Sequence, residues 1–88
     1  TTWNYKGKLI AWGQKNKCSV AFETIAIEEI KHRKQYTVQV NIGGVPFETA
    51  VNYSIKSAEQ LVAEKAFKRI EEEQGKEKTY EINKESDE

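Results

Sequence analysis

Between Gln35 and Gly44 apolar and polar residues alternate: Tyr36, Val38, Val40 and Ile42 fall on one side, Thr37, Gln39 and Asn41 on the other. That is the period of a half-buried strand, so one face must be covered by something amphipathic elsewhere in the chain. Gly43-Gly44 predicts a hairpin turn, because both residues take positive φ without a Cβ penalty. A second β-like run, Val45 to Tyr53, comes directly after it. Pro46 suits the start of an edge strand, and Phe47, Thr49 and Val51 alternate with Glu48, Ala50 and Asn52. Upstream, Val20 to Ile27 is rich in β-branched and aromatic residues and reads as the first strand. Its faces are Val20, Phe22, Thr24 and Ala26 against Ala21, Glu23, Ile25 and Ile27. Both are partly apolar: either the alternation is diluted, or part of the outer face meets a partner.

Helical spacing takes over towards both ends. Asn4 to Asn16 carries Tyr5, Leu9 and Trp12, with Ile10 less regularly, on one stripe that Gly7 and Gly13 weaken. Asn4, Lys8, Ala11 and Lys15 make a neighbouring, mostly polar face, which on its own needs no role beyond solvating the helix. After Ser54, the residues Ala58, Val62, Ala66 and Ile70, with Ala63 and Phe67 beside them, form a continuous stripe whose small members permit close approach to a sheet. This helix starts at Ser54 or, through a capping box with Gln60, at Ser57. In either case Lys56 lies at a helix N-terminus, where free amides and the dipole favour anions. Gln74-Gly75 marks a stop, and Glu71 to Glu88 is expected to fray, with an extra strand or partner-binding segment at Thr79 to Ile82 as the alternative. The elements predict helix, three antiparallel strands, helix over residues 1–72, then an acidic, flexible tail over 73–88.

Charge sharpens the picture at one place. Glu28 to Lys34 reads as a charged loop, in which Lys31, His32, Arg33 and Lys34 are consecutive donors. Three fixed charges and an imidazole on one loop tip make a compact anion-binding knob, although a polar loop needs no function. The net charge of 0 hides an asymmetry: residues 1–70 hold 11 Lys or Arg against 6 Asp or Glu, and residues 71–88 hold 3 against 8. A basic body with an acidic tail suggests an anionic partner.

Composition mostly excludes. A chain of 88 residues is one domain, burying roughly 60% of its unfolded surface, with little room for a deep catalytic cavity. The single Cys18 forms no internal disulfide and suits a reducing, intracellular setting, nuclear or cytoplasmic. No apolar run approaches the ~20 residues of a membrane span. The residues given show no signal-peptide pattern, but the absence of Met points to a piece of a longer protein, so the missing ends are uninformative. His32 and Cys18 share no motif, no glycine-rich phosphate loop is present, and the carboxylates sit in charged surroundings. The expectation is a non-catalytic domain without metal or cofactor.

The order of elements, the basic loop between strands one and two, and a lysine at the start of the last helix together resemble a double-stranded-RNA-binding domain. The match runs from about Tyr5 to Ile70, without a forced gap between Phe22, His32, Tyr36 and Ala58. The segment Gln-Tyr-Thr-Val-Gln-Val-Asn-Ile-Gly-Gly-Val-Pro-Phe, Gln35 to Phe47, is most similar to the plant proteins of that family that accompany Dicer-like nucleases. The resemblance implies an α+β fold, α-β-β-β-α, with a three-stranded antiparallel sheet and both helices on one face. It implies that RNA is met by the first helix (Asn4, Lys8, Ala11, Lys15), the loop (Lys31, His32, Arg33, Lys34) and the start of the second helix (Lys56). Such a surface selects the shape of A-form RNA over about 16 base pairs, whatever the sequence. His32 falls where the family's loop histidine falls. Glu29-Ile30 replaces the preceding Gly-Pro. Of the usual Lys-Lys-x-Ala-Lys only Lys56 is kept, Ile55 and Glu59 standing at the other two lysines, and Ala11, with Ile10 beside it, replaces the glutamate that reads 2′-hydroxyls. These departures imply modest, mostly electrostatic binding, with Glu59 as a repulsive charge.

The function implied by the resemblance is sequence-independent double-stranded-RNA binding in a plant small-RNA silencing pathway. With it goes pairing to another such protein or a Dicer-like complex, as hetero- or homodimer and away from membranes. The alternative is a pairing module with little RNA binding. Its interface would be the third-strand edge, Phe47, Thr49 and Val51, with apolar Ile25 and Ile27; against this stands the reading that these residues simply pack in the monomer, which for Phe47 is the favoured one.

Overall fold

The computed structural model describes residues 4–86, with side chains as far as residue 74. The order is α1 (Tyr5–Lys15), β1 (Val20–Ile30), β2 (Arg33–Ile42), β3 (Val45–Asn52) and α2 (Ile55–Ser86). The strands form one antiparallel sheet in the order β1-β2-β3. The sheet and the α-β-β-β-α order agree with the expected fold.

The stripe on α2 does what its spacing requires. Ala58, Val62, Ala63 and Ala66 are wholly buried, with Ile70 nearly so, against Val38, Val40 and Ala50 of the sheet. Alanines at three of these positions let the helix axis come close to the strands. Leu9 brings α1 into the same core and is fully buried, worth roughly 1.5–3 kcal/mol, which offsets the two glycines of a short helix. Tyr5, Trp12 and Phe67 pack around it, Tyr5 and Phe67 with ring centroids 6.3 Å apart. Gly13 has a structural reason: a Cβ there would lie 2.6 Å from Val20 Cγ2 and 2.8 Å from the Cys18 carbonyl, so only glycine lets the end of α1 meet β1.

Two bulges re-sort the strand faces. One falls between Thr24 and Ala26, after which Ala26 pairs with Thr37 and Ile27 with Tyr36. Ala26 therefore joins the outer face and Ile27 the helix side, the reverse of simple alternation, because one extra residue flips every side chain beyond it. The second falls between Val40 and Asn41 in the pairing with β3, and frees Phe47 to turn inward against the core while Thr49 and Val51 face out. The outer face is partly wet and self-satisfied: Gln39 donates to Asn41 at 2.8 Å, and Asn41 to Glu23 at 3.4 Å.

Two boundaries move. The loop expected over 28–34 is mostly strand, with β1 continuing to Ile30 and β2 beginning at Arg33. The helix does not stop at Gln74-Gly75 but continues to Ser86, through the stretch 79–82 that was open to being a strand. A single glycine costs only about 1 kcal/mol in a helix, and its neighbours here are strong helix formers. The last two residues of the expected tail lie outside the described residues.

Candidate nucleic-acid interface

The register fixes where the basic elements sit. β3 ends at Asn52, opposite Tyr36, and α2 begins three residues later, so the β1–β2 turn and the start of α2 lie at the same end of the sheet. His32 is four residues beyond Tyr36, so the hairpin overhangs the third strand by about 13 Å. Ser54 is the cap of α2: its Oγ accepts from Ser57 N–H at 3.1 Å and its carbonyl from Ala58 N–H at 2.9 Å. This settles the start of the helix and makes Lys56 its second residue, exposed beside the positive end of the dipole.

Gln60, no longer needed for a capping box, reaches α1. It accepts from Lys6 N–H at 3.2 Å and donates to Asn4 Oδ1 at 3.4 Å. Lys6 Nζ lies 2.8 Å from Glu59. The first turn of α1 is therefore tied to the first turns of α2, and Tyr5, Asn52, Lys56, Ser57, Gln60, Leu61 and Glu64 line an open groove between them. Glu59 is not the lone repulsive charge its position suggested, because Lys6 neutralises it. On the exposed flank of α2, hydrogen bonding to Glu64 and that carboxylate's charge hold the Lys68 ammonium above its ordinary pKa.

The α1 residues divide by job. Lys8, Ala11 and Lys15 are exposed along one face and, with Trp12, Phe67 and Glu71, border a shallow depression. Asn4 is the N-cap: its Oδ1 accepts from Gly7 N–H at 3.0 Å, so its place on that face is first a structural one.

The four donors of the loop do not make one knob. Lys31 and His32 form the turn, at φ 51° and 66°. Lys34 pairs with Glu29, on the side of the sheet that Tyr36 and Val38 share. Arg33 pairs with Ile30 on the opposite side, and its guanidinium carbon stands 3.8 Å from the centroid of the Tyr53 ring. Alternation within a strand separates neighbours that a loop would have pooled. Lys6 and Tyr53 were missed by sequence reasoning; Lys6 lay off the polar face of the helix, and nothing in the residues around Tyr53 signalled its contact.

The five residues expected to form a partner interface are not one surface. β1 and β3 are opposite edges, and Ile27, paired with Tyr36, lies on the helix side, whereas Thr49 and Val51, paired with Gln39 and Thr37, face out. Ile25, Ile27 and Val51 are 46%, 59% and 49% exposed, whereas Phe47 packs on the core under Arg69, 4.2 Å from its ring centroid. The β3 edge is guarded as well: Lys65 Nζ donates to the Thr49 carbonyl at 2.6 Å and Arg69 Nη1 to the Phe47 carbonyl at 2.8 Å. These are acceptors that an added strand would need.

Among the described residues no group of three or more His, Cys, Asp or Glu could hold a metal ion, and no helix is long and apolar enough to cross a membrane. The chain is 39% identical over 69 residues to the Ribonuclease 3 of Bacteroides thetaiotaomicron, covering 76% of this chain and 22% of that protein. It is 36% identical over 70 residues to the Ribonuclease 3 of Chlorobaculum tepidum, covering 78% and 26%. The chain thus spans about a quarter of the length of the curated relatives it matches, and these relatives are bacterial, so they lend no support to the finer likeness to plant proteins. The model of the double-stranded RNA binding motif matches residues 5–70, the span from the first residue of α1 to the last buried residue of the α2 stripe, and the chain belongs to that family.

Proposed function

We propose that this domain grips double-stranded RNA by its shape and holds it without cutting it, for a nuclease activity carried by another part of the protein or by another chain. The observation that carries the reading is the gathering of cations at one end of the sheet. The strained Lys31-His32 turn and Lys56 at the helix start lie at the same end of the sheet, and the first turn of α1 is tethered to the first turns of α2. The mechanism is electrostatic and geometric: cations replace counterions along two phosphate backbones, and their spacing suits a duplex whose 2′-hydroxyls line a shallow minor groove. The relatives' name, Ribonuclease 3, supplies the link to a nuclease. Titration of the domain against RNA and DNA duplexes of equal length at two salt concentrations tests the reading. Tighter binding to RNA, falling with salt, is expected; no binding at low salt, or equal binding to DNA, overturns it.

A second reading makes the domain a pairing module for another double-stranded-RNA-binding protein or a Dicer-like complex in plant small-RNA silencing. Exposed Thr49 and Val51 on the outer face favour it, while the occupied carbonyls of Phe47 and Thr49 weigh against pairing by strand addition. Sedimentation with candidate partner domains separates the two: a domain that stays monomeric with every partner rules pairing out.

A further inference from the structure

The overhanging end of the β1–β2 hairpin has a stability problem. Beyond Tyr36 its strands have no third neighbour, and a lone two-stranded ribbon is marginal in water. Its turn adds strain, because Lys31 and His32 both occupy the left-handed region, at about 1–2 kcal/mol for each non-glycine residue. A tip that must keep its distance from Lys56 therefore needs an anchor other than its own ladder.

Tyr53 is in the right place to be that anchor. It comes just after the last residue of β3 and precedes Ser54, the cap of α2, and its amide donates to Asn52 Oδ1 at 2.7 Å. Arg33, the first residue of β2 after the turn, lays its guanidinium on the Tyr53 ring at 3.8 Å. A planar cation stacked on an aromatic face at this distance is a directed contact, and lysine cannot reproduce it. One side-chain pair thus joins the overhang to the point where the second helix begins, on the side of the sheet away from Lys34.

The geometry points to Arg33 and Tyr53 as a positioning pair that sets the separation between the hairpin turn and the start of α2. Arg33 acts through Tyr53 and not as a phosphate contact. This inference rests on the double-stranded-RNA reading above, since that separation matters only if both elements meet one duplex. The pair then serves specificity: a tip free to swing fits B-form and A-form grooves alike, whereas a pinned tip favours one groove spacing.

Two variants of the whole domain, Tyr53→Leu and Arg33→Lys, test this by independent routes, since both keep the positive charge at position 33. Each should weaken RNA-duplex binding about fivefold and narrow the preference over DNA duplex. The slope of log affinity against log salt should stay as in the parent, whereas loss of a phosphate contact would reduce it by about 0.9. The double variant should be no worse than either single one. In the free protein, amide exchange of residues 31–34 should accelerate in both, a readout that stands even if the parent domain binds no RNA. Unchanged exchange at the turn overturns the pair, as does parent-like RNA affinity in Tyr53→Leu combined with a salt slope lowered by about 0.9 in Arg33→Gln.

Discussion

The sheet contains two hairpin turns of the same length and the same hand, built from opposite materials. Gly43 and Gly44 turn β2 into β3 at φ 64° and 79°, with nothing within 4 Å of where a Cβ would sit. Lys31 and His32 turn β1 into β2 at φ 51° and 66°, where L-residues are strained. Both have the positive φ at two central residues that a tight hairpin demands, because that twist matches the strands on either side. The glycine turn is relaxed and chemically silent. The Lys31-His32 turn is strained and carries two donors at the far end of an overhang. A fold that can use Gly-Gly at one corner has no stability reason to use Lys-His at the other, and the difference marks the corner where side chains matter more than ease of turning.

Exchanging the two chemistries gives the largest expected effect. Lys31→Asn with His32→Gly supplies the residues that this turn geometry prefers, and should raise the melting midpoint by several degrees while weakening RNA-duplex binding roughly tenfold, about 1.4 kcal/mol. Calorimetry and a binding titration on the same sample read both; unchanged affinity in a more stable protein would remove the turn from the interface. The reverse change is smaller and of opposite kind. Gly44→Ala should destabilise by about 1–2 kcal/mol through backbone strain alone, with the RNA affinity of the folded fraction unchanged. Denaturant unfolding measures the first, and an altered affinity would mean that the silent corner is not silent. The smallest effect concerns the other cationic patch, where Glu59 holds Lys6 at 2.8 Å. Glu59→Gln should release that ammonium and strengthen RNA binding two- to fivefold at low salt, with less than about 1 kcal/mol change in stability for a partly exposed pair. Weaker binding would show that Glu59 is needed to position Lys6 and does not merely compete for it.

The two corners were not equally visible in the chain. The relaxed turn was legible because Gly-Gly between two alternating runs has few other meanings. The strained one was not: seven charged and apolar residues, Glu28 to Lys34, hold no turn former, so strand pairing of Glu29 with Lys34 and Ile30 with Arg33 was hidden. The bulges at residues 25 and 47 were equally silent, and with them went the sorting of Ile27, Ala26 and Phe47 between faces. For the candidate site, the cations themselves could be named in advance, including Lys56 at a helix start. Their grouping could not, since Arg33 and Lys34 are adjacent in the chain and opposite in space.

What the chain dictates by itself is whatever depends on near neighbours: the period of β2, the Gly43-Gly44 corner, the apolar stripe of α2 and the excess of positive charge before residue 71. Each comes from local sterics or from residues a few positions apart. Tertiary packing alone decided that Gln60 holds α1, that Glu59 meets Lys6, that Lys65 and Arg69 cover the β3 edge, and that Arg33 rests on Tyr53. All of these join residues 16 to 56 positions apart, and their partners are chosen by how the elements dock on one another, a choice no local pattern encodes.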